Sequence, residues 1–321
     1  MQRLIDTLSA LRAHRRLLIA IESVAVAAVV AILAWAVRGA WHDAGDRIAS
    51  ASPVDLVLAV AWLVAYYLLF VVGWIWILGA WGIRLPYRYA LQSEMVSMLA
   101  KYIPGGVWTP AARVVAVRRA GITNTPLVLS SVLLEAGLSA VSGVLVFLGG
   151  MAAVSGVDTD LVPLIAFGAV VTVLLHPAVF GRLAKLVFKP FAGDPPPLPW
   201  RTMLSLLVYY AFTWLVGGAA LFFLLRSVGG SPDLQTVAFL GGVSAVGAIV
   251  AVLAVIAPSG LGVREASMYG LLLAVVPEGA ALGAIVLNRL TITIVEGGLL
   301  LLGGLVFRLL GGDRPELSPE S

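Results

Sequence analysis

An all-α, polytopic membrane fold is what three observations in this sequence predict. Of the 321 residues, 60% are hydrophobic and only 12% are charged, and the mean hydropathy is +1.01. That balance lies far from that of soluble domains. Apolar runs recur at 17–37, 56–81, 126–154, 161–175, 203–225, 237–257 and 281–307. All but the run at 161–175 are long enough to cross a hydrocarbon core of about 30 Å as helices. None alternates over about ten residues, as the strands of a membrane barrel would.

Residues 1–16 read as an interfacial amphipathic helix, with Leu4, Ile5, Leu8 and Leu11 on one face. Arg12, Arg15 and Arg16 would then meet lipid headgroups, a solvated basic tail being the alternative. The run at 17–37 is too long for the core of a signal peptide, so a retained first span is expected. A first transmembrane half occupies 17–188. The proline-rich stretch "KPFAGDPPPLPW", 189–200, reads as a semi-rigid cytoplasmic linker. A second half follows at 201–310, then a disordered cytoplasmic tail at 311–321.

Basic residues set the orientation. Arg3, Arg12, Arg15 and Arg16 precede the first run, and Arg84 and Arg88 follow the second. Arg182, Lys185, Lys189 and Arg201 share the central loop, and Arg308 and Arg314 close the chain. The opposite loops carry mainly acids, among them Asp43, Asp158, Asp233 and Glu278. The positive-inside rule thus predicts a multi-pass protein of the cell (inner or plasma) membrane with both termini cytoplasmic.

Two stretches interrupt the apolar pattern. "LAKYIPGGVWTPAARVVAVRRAG", 99–121, and "VIAPSGLGVREASM", 255–268, each combine proline, glycine and then arginine between apolar segments. Aligning Pro104 with Pro258 sets Gly106 against Gly260, and Glu135 against Arg289. Around them each half reads as span, broken hairpin, span: 56–81, 88–120, 126–154, then 203–225, 236–276, 281–307. By the charge rule the two are inverted repeats whose re-entrant hairpins enter from opposite faces. That makes six full spans plus two hairpins, or eight spans if the hairpin arms cross. Pro104, Gly105, Gly106, Pro258, Gly260 and Gly262 would form the hairpin tips. Open backbone in hydrocarbon is tolerated only where protein or a wet cavity satisfies it, and inverted repeats use such breaks to build midplane sites. Two ordinary loops with incidental Pro-Gly turns are the alternative.

Ionisable residues inside spans are functional candidates because burial without a partner is costly. Ser131, Glu135, Ser139 and Ser142 fall on one helical face, and Arg289, Thr293 and Glu296 on another. The two stripes are expected to face each other, Glu135 meeting Arg289 with Glu296 one or two turns away. Such a pair would serve either a substrate or helix locking. Lys101, Arg113, Arg264 and Arg289 together suit an anionic headgroup phosphate, while Glu135, Glu265 and Glu296 would balance them or receive an ammonium group. Arg118 and Arg119 read as interface anchors or topology signals, and Glu94, in the first hairpin arm, is ambiguous, simple wetting being one reading. The aromatic residues of 56–81, Tyr67 and Trp74 among them, read as interfacial belt or packing.

Several classes are excluded. With no cysteine there is no disulfide framework or thiolate centre. His14, His42 and His176 show no ligand spacing, so no metal is expected, and no phosphate-binding loop or other cofactor motif is present. The net charge of +4 comes largely from bases that flank spans and does not point to nucleic acid. No loop is long enough for a soluble catalytic domain, so an enzyme is not expected.

At "KYIPGGVWTPAARVVAVRRAG", "APSGLGVREA" and "NRLTITIVEGG" the sequence resembles the transmembrane (flippase) region of bacterial lysylphosphatidylglycerol synthases and their stand-alone relatives. Lys101, Pro104, Gly105, Trp108 and Arg113 match the family's first element, and Pro258, Gly260, Gly262, Arg264 and Glu265 its second. Ser259 stands where a glycine is common. The resemblance runs from about Leu17 to Phe307, with no room before Ser321 for the synthases' aminoacyl-transferase domain. It implies lipid translocation rather than lipid aminoacylation. The expected partners are membrane lipids (anionic or aminoacylated phospholipid, or a polyprenyl-linked lipid), with a homodimer or a separate lipid-modifying enzyme as protein partners. The rival functions are a non-transporting accessory subunit of a cell-envelope enzyme and a secondary transporter of a small anion.

Overall fold

The computed structural model describes residues 41–101, 108–152, 154, 197–254 and 258–309. The expected segments at 1–16, 17–37, 161–175 and 311–321, most of the 189–200 linker and the first hairpin tip at Pro104, Gly105 and Gly106 lie outside them. Every regular element among the described residues is helical. They are α1 (Trp41–Ala49), α2 (Pro53–Ala80), α3 (Tyr87–Ala100), α4 (Trp108–Val117), α5 (Thr125–Met151), α6 (Trp200–Ser227), α7 (Val237–Leu253), α8 (Val263–Leu272) and α9 (Glu278–Leu309), with short 3₁₀ turns at Arg118–Ala120, Leu234–Thr236 and Pro258–Gly260. The chain is therefore an all-α polytopic membrane protein. Among the described residues, five helical stretches are long and apolar enough to cross: Pro53–Ala80, Thr125–Met151, Trp200–Ser227, Leu234–Leu253 and Glu278–Gly303.

Local chemistry sets the ends of these helices. Ser52 caps α2 by accepting from the Asp55 N–H at 3.4 Å, with Pro53 in the first turn, where its missing N–H costs nothing. Asn124 caps α5 in the same way, accepting from the Leu127 N–H at 3.2 Å. Gly121, at φ +81°, takes the left-handed position that ends the turn after α4.

The two broken regions differ. α3 has 14 residues and α4 has 10, or about 21 and 15 Å of helix, so neither crosses alone. In the second region the expected apolar run to 257 ends as helix at Leu253, and its first arm is nonetheless long enough to be a span. Only α8, with 10 residues, is short there.

α2 and α6 pack side by side at the centre. α7 lies against α5 and α6, and α3 lies against α4, α9 and α2. Exchanging α2, α3, α4 and α5 for α6, α7, α8 and α9 maps this packing onto itself. The α5–α7 contact becomes α9–α3, α3–α4 becomes α7–α8, and α4–α5 becomes α8–α9. The two halves therefore make equivalent sets of contacts.

Between helices in lipid, close approach does what the hydrophobic effect does in water. At the α5–α7 crossing, Gly242 lies directly on the Phe147 backbone and Gly150 on that of Phe239. The rings of Phe147 and Phe239 stack beside the crossing at 5.7 Å. A methyl at Gly242 would force the helices apart. Gly242→Ala is expected to cost about 1–3 kcal/mol, read as a lower thermal midpoint in detergent. Gly149→Ala on the open face of α5, where an added carbon meets nothing within 4 Å, should leave the midpoint unchanged or slightly raised.

Candidate functional site

The ionisable residues of the broken regions and their neighbours gather into two clusters. The first is buried. Arg113 on α4 is 3% exposed and forms ion pairs with Glu94 on α3, 0% exposed, and Glu135 on α5, 2% exposed. Its guanidinium lies over the Trp74 ring of α2 at 4.5 Å from the centroid. The Tyr210 hydroxyl of α6 donates to Glu135 Oε1 at 3.3 Å. One turn before Glu135, Ser131 Oγ accepts from Trp74 Nε1 at 2.9 Å. Four helices thus converge on one guanidinium, a flat cation suited to bridging two carboxylates while stacking on an indole.

The polar stripe of α5 is present and turned inward. Ser131 faces α2, and the other members face α6: Ser142 Oγ donates to the Leu207 carbonyl at 2.8 Å, and the Ser139 carbonyl accepts from Trp214 Nε1 at 2.8 Å. The expected partner, α9, is not where this stripe points. Glu135 pairs with Arg113, 22 residues before it in the chain, and Arg289 with Glu265, 24 residues before it, at 3.3 Å. The expectation that Glu135 and Arg289 meet is therefore corrected. The central α2 and α6 helices occupy the middle of the bundle, while a short turn holds each half's short second arm beside its own last span. The stripe on α9 is also incomplete, because Thr293 is exposed and donates to the Arg289 carbonyl of its own helix at 2.9 Å.

The second cluster draws on both halves. Glu296 on α9 is 3% exposed, and its Oε1 accepts from the Tyr67 hydroxyl at 2.5 Å and from Lys101 Nζ at the end of α3. Glu296 Oε2 is buried with no hydrogen-bond partner. Arg264 and Arg289 stand close enough for their charges to act on Lys101. The side chains of Lys101, Arg289 and Glu265 are 20%, 20% and 21% exposed, so the cluster is partly open where the first is closed. Among the described residues the cluster gathers three cations (Lys101, Arg264, Arg289) and two carboxylates (Glu265, Glu296).

Backbone geometry presents Arg264 and Glu265. Ser259, Gly260 and Gly262 all take left-handed φ values, +54°, +66° and +81°. Pro258 opens this turn, and an added carbon on Gly260 would strike Ala251 of α7. The Gly262 N–H donates to Glu265 Oε2 at 2.8 Å, starting α8 with Arg264 and Glu265 in its first turn. Ser259, at φ +54°, stands at a position where glycine is the relaxed residue.

A row of rings joins the clusters: Tyr67 to Tyr66 at 5.4 Å, Tyr66 to Phe70 at 5.7 Å, and Phe70 to Tyr210 at 5.3 Å. Of the residues singled out from the sequence, Lys101, Arg264, Glu265, Arg289 and Glu296 come together, and Arg113 and Glu135 form the separate buried cluster. Glu94, Tyr67, Trp74 and Tyr210 were not expected there. Glu94, ambiguous from the sequence, is fully buried. Its spacing of seven from Lys101, with Ser93 and Ser97 also buried beside it, was the available signal for a polar inner face on α3.

These features define a helical membrane protein in which charges on short broken helices pair with charges inside full spans. The chain matches the model of the lysylphosphatidylglycerol synthase TM region over residues 21–297, and it belongs to that family. Membership ties it to lipid handling and to a transmembrane rather than a catalytic module. Among curated proteins none matches the chain.

The clusters should respond differently to loss of their arginines. Arg113→Leu leaves two carboxylates buried without their cation, and a destabilisation of about 3–5 kcal/mol is expected. Arg289→Ala, in the half-open cluster, should cost about 1 kcal/mol or less. Thermal unfolding of both variants in the same detergent distinguishes them.

Proposed function

We propose that the protein moves a lipid, or the polar headgroup of a lipid-linked molecule, between leaflets. The reading is carried by the half-open cluster of Lys101, Arg264, Arg289, Glu265 and Glu296, which gathers three cations beside two carboxylates where the end of α3 and the start of α8 meet α9. An anionic phosphate would be taken by the forked donors of Arg264 and Arg289. Glu296, with an oxygen free of hydrogen bonds, is placed to receive an ammonium group or to release Lys101 to the phosphate. The acyl chains stay in the bilayer while the headgroup uses the polar interior. Arg113 and Glu135 act by holding the first broken arm to α5 rather than by touching the headgroup.

The reciprocal packing of the two halves supports an inverted repeat, with α3–α4 and α7–α8 as its broken elements and the shorter arms re-entrant. The basic flanks support cytoplasmic termini. Arg113 saturated by two buried acids favours a second reading of that cluster, as a lock in a non-transporting accessory subunit.

In liposomes, leaflet exchange of headgroup-labelled anionic lipids should be fast with the intact protein. It should fall on the order of tenfold or more in Arg289→Ala and in Arg264→Ala. No exchange of any labelled lipid by folded protein would replace this reading with the accessory one.

A further inference from the structure

We propose that the Glu94–Arg113–Glu135 cluster is a proton-binding site that holds one proton between its two carboxyl groups at neutral pH. The balance of charges comes first. Two carboxylates face one guanidinium, and all three side chains are at least nine-tenths buried. With both acids ionised, one negative charge would lie in the interior without a countercharge, which a protein avoids by taking up a proton.

Among the described residues the surroundings supply no second cation. From α2 the cluster meets Trp74, which stacks on Arg113 and spends its N–H on Ser131. From α5 it meets Ser131, whose hydroxyl donates to the Val128 carbonyl at 2.7 Å. From α6 comes the Tyr210 hydroxyl, a neutral donor to Glu135. From α4 comes Arg113 itself. α9, which packs on α3, brings Glu296, whose Oε1 already takes the Lys101 ammonium. The free acceptor is on Glu94, whose Oε1 is buried with no hydrogen-bond partner. That atom is where a proton can sit without breaking an existing bond.

The site lies at a mechanical joint. Glu94 is on the first arm of the broken hairpin, Arg113 on the second and Glu135 on the neighbouring span. Gaining or losing the proton changes how tightly Arg113 is drawn to each acid, and so the hold of both arms on α5. The two acids titrate as a pair, so the proton belongs to the cluster rather than to one residue.

Infrared spectroscopy of the purified protein in lipid bilayers reads the proton directly. At neutral pH a neutral-carboxyl C=O band is expected that shifts in heavy water. It should be lost in Glu94→Gln or Glu135→Gln, where the amide keeps the shape of the protonated acid. A wild-type spectrum without such a band at neutral pH, or one whose band survives in both variants, would overturn the proposal. Elution profile and thermal midpoint show whether each variant is folded. If one is not, the other and the wild-type heavy-water shift still decide. The band is a property of the protein's own carboxyls, so its absence would leave the lipid-exchange assay as a separate question.

Discussion

A charge or an open peptide group in hydrocarbon must find its partner within the protein, and this chain places several at once. Its helices break at two places, and each break is followed by an arginine. The Arg113 bridge answers the first: one guanidinium joins both arms of a broken helix to a complete span and rests on an indole from another. Remove it and the first hairpin is held to α5 mainly by apolar packing of residues such as Val114, Val117 and Val128. The second break is answered differently, by a capping Glu265 that satisfies the Gly262 N–H with one oxygen and takes Arg289 with the other. The two solutions are mirror images in charge. In the first half the short arm carries the base and the span the acid, and in the second half these are reversed.

Packing follows from the same constraint. Helices that bury polar stripes must come close enough for side chains to reach neighbouring backbones, as Ser142 and Trp214 do across α5 and α6. Glycines at the α5–α7 crossing allow that approach where bulkier residues would hold the helices apart. The long tyrosines of α2 and α6 then cover the distance between the two polar clusters, offering ring faces along the way and hydroxyls at the two ends.

Much of this was legible in the sequence because it is written in composition and spacing. Run length located the five described spans, and the four-four-three spacing of Ser131, Glu135, Ser139 and Ser142 marked a buried face. Recurrence of proline, glycine and arginine located both breaks. The choice of partner was not legible. Matching Glu135 to Arg289 by repeat position assumed that equivalent helices touch, whereas the centre belongs to α2 and α6, and each residue bonds to the short arm folded back beside it. Glu94 stayed ambiguous because a single acid in an amphiphilic arm has the same local pattern whether it faces water or an arginine. Tyr67 and Tyr210 were hidden because an aromatic residue in a span serves packing and hydrogen bonding with one side chain.

The reversal of charge between the halves has a consequence for how such a chain can be assembled. Each cluster needs both halves: Lys101 of the first completes the base-rich cluster, and Tyr210 of the second bonds to Glu135 in the acid-rich one. Only the joined chain sets one of each at opposite ends of the tyrosine row. Among the described residues, Glu94 and Glu135 flank Arg113 at one pole of the row, and Lys101, Arg264 and Arg289 stand with Glu265 and Glu296 at the other. Tyr66 lies within reach of charges from both poles. A change of charge at either pole changes the potential felt at the other, so the two clusters are linked through the field they share.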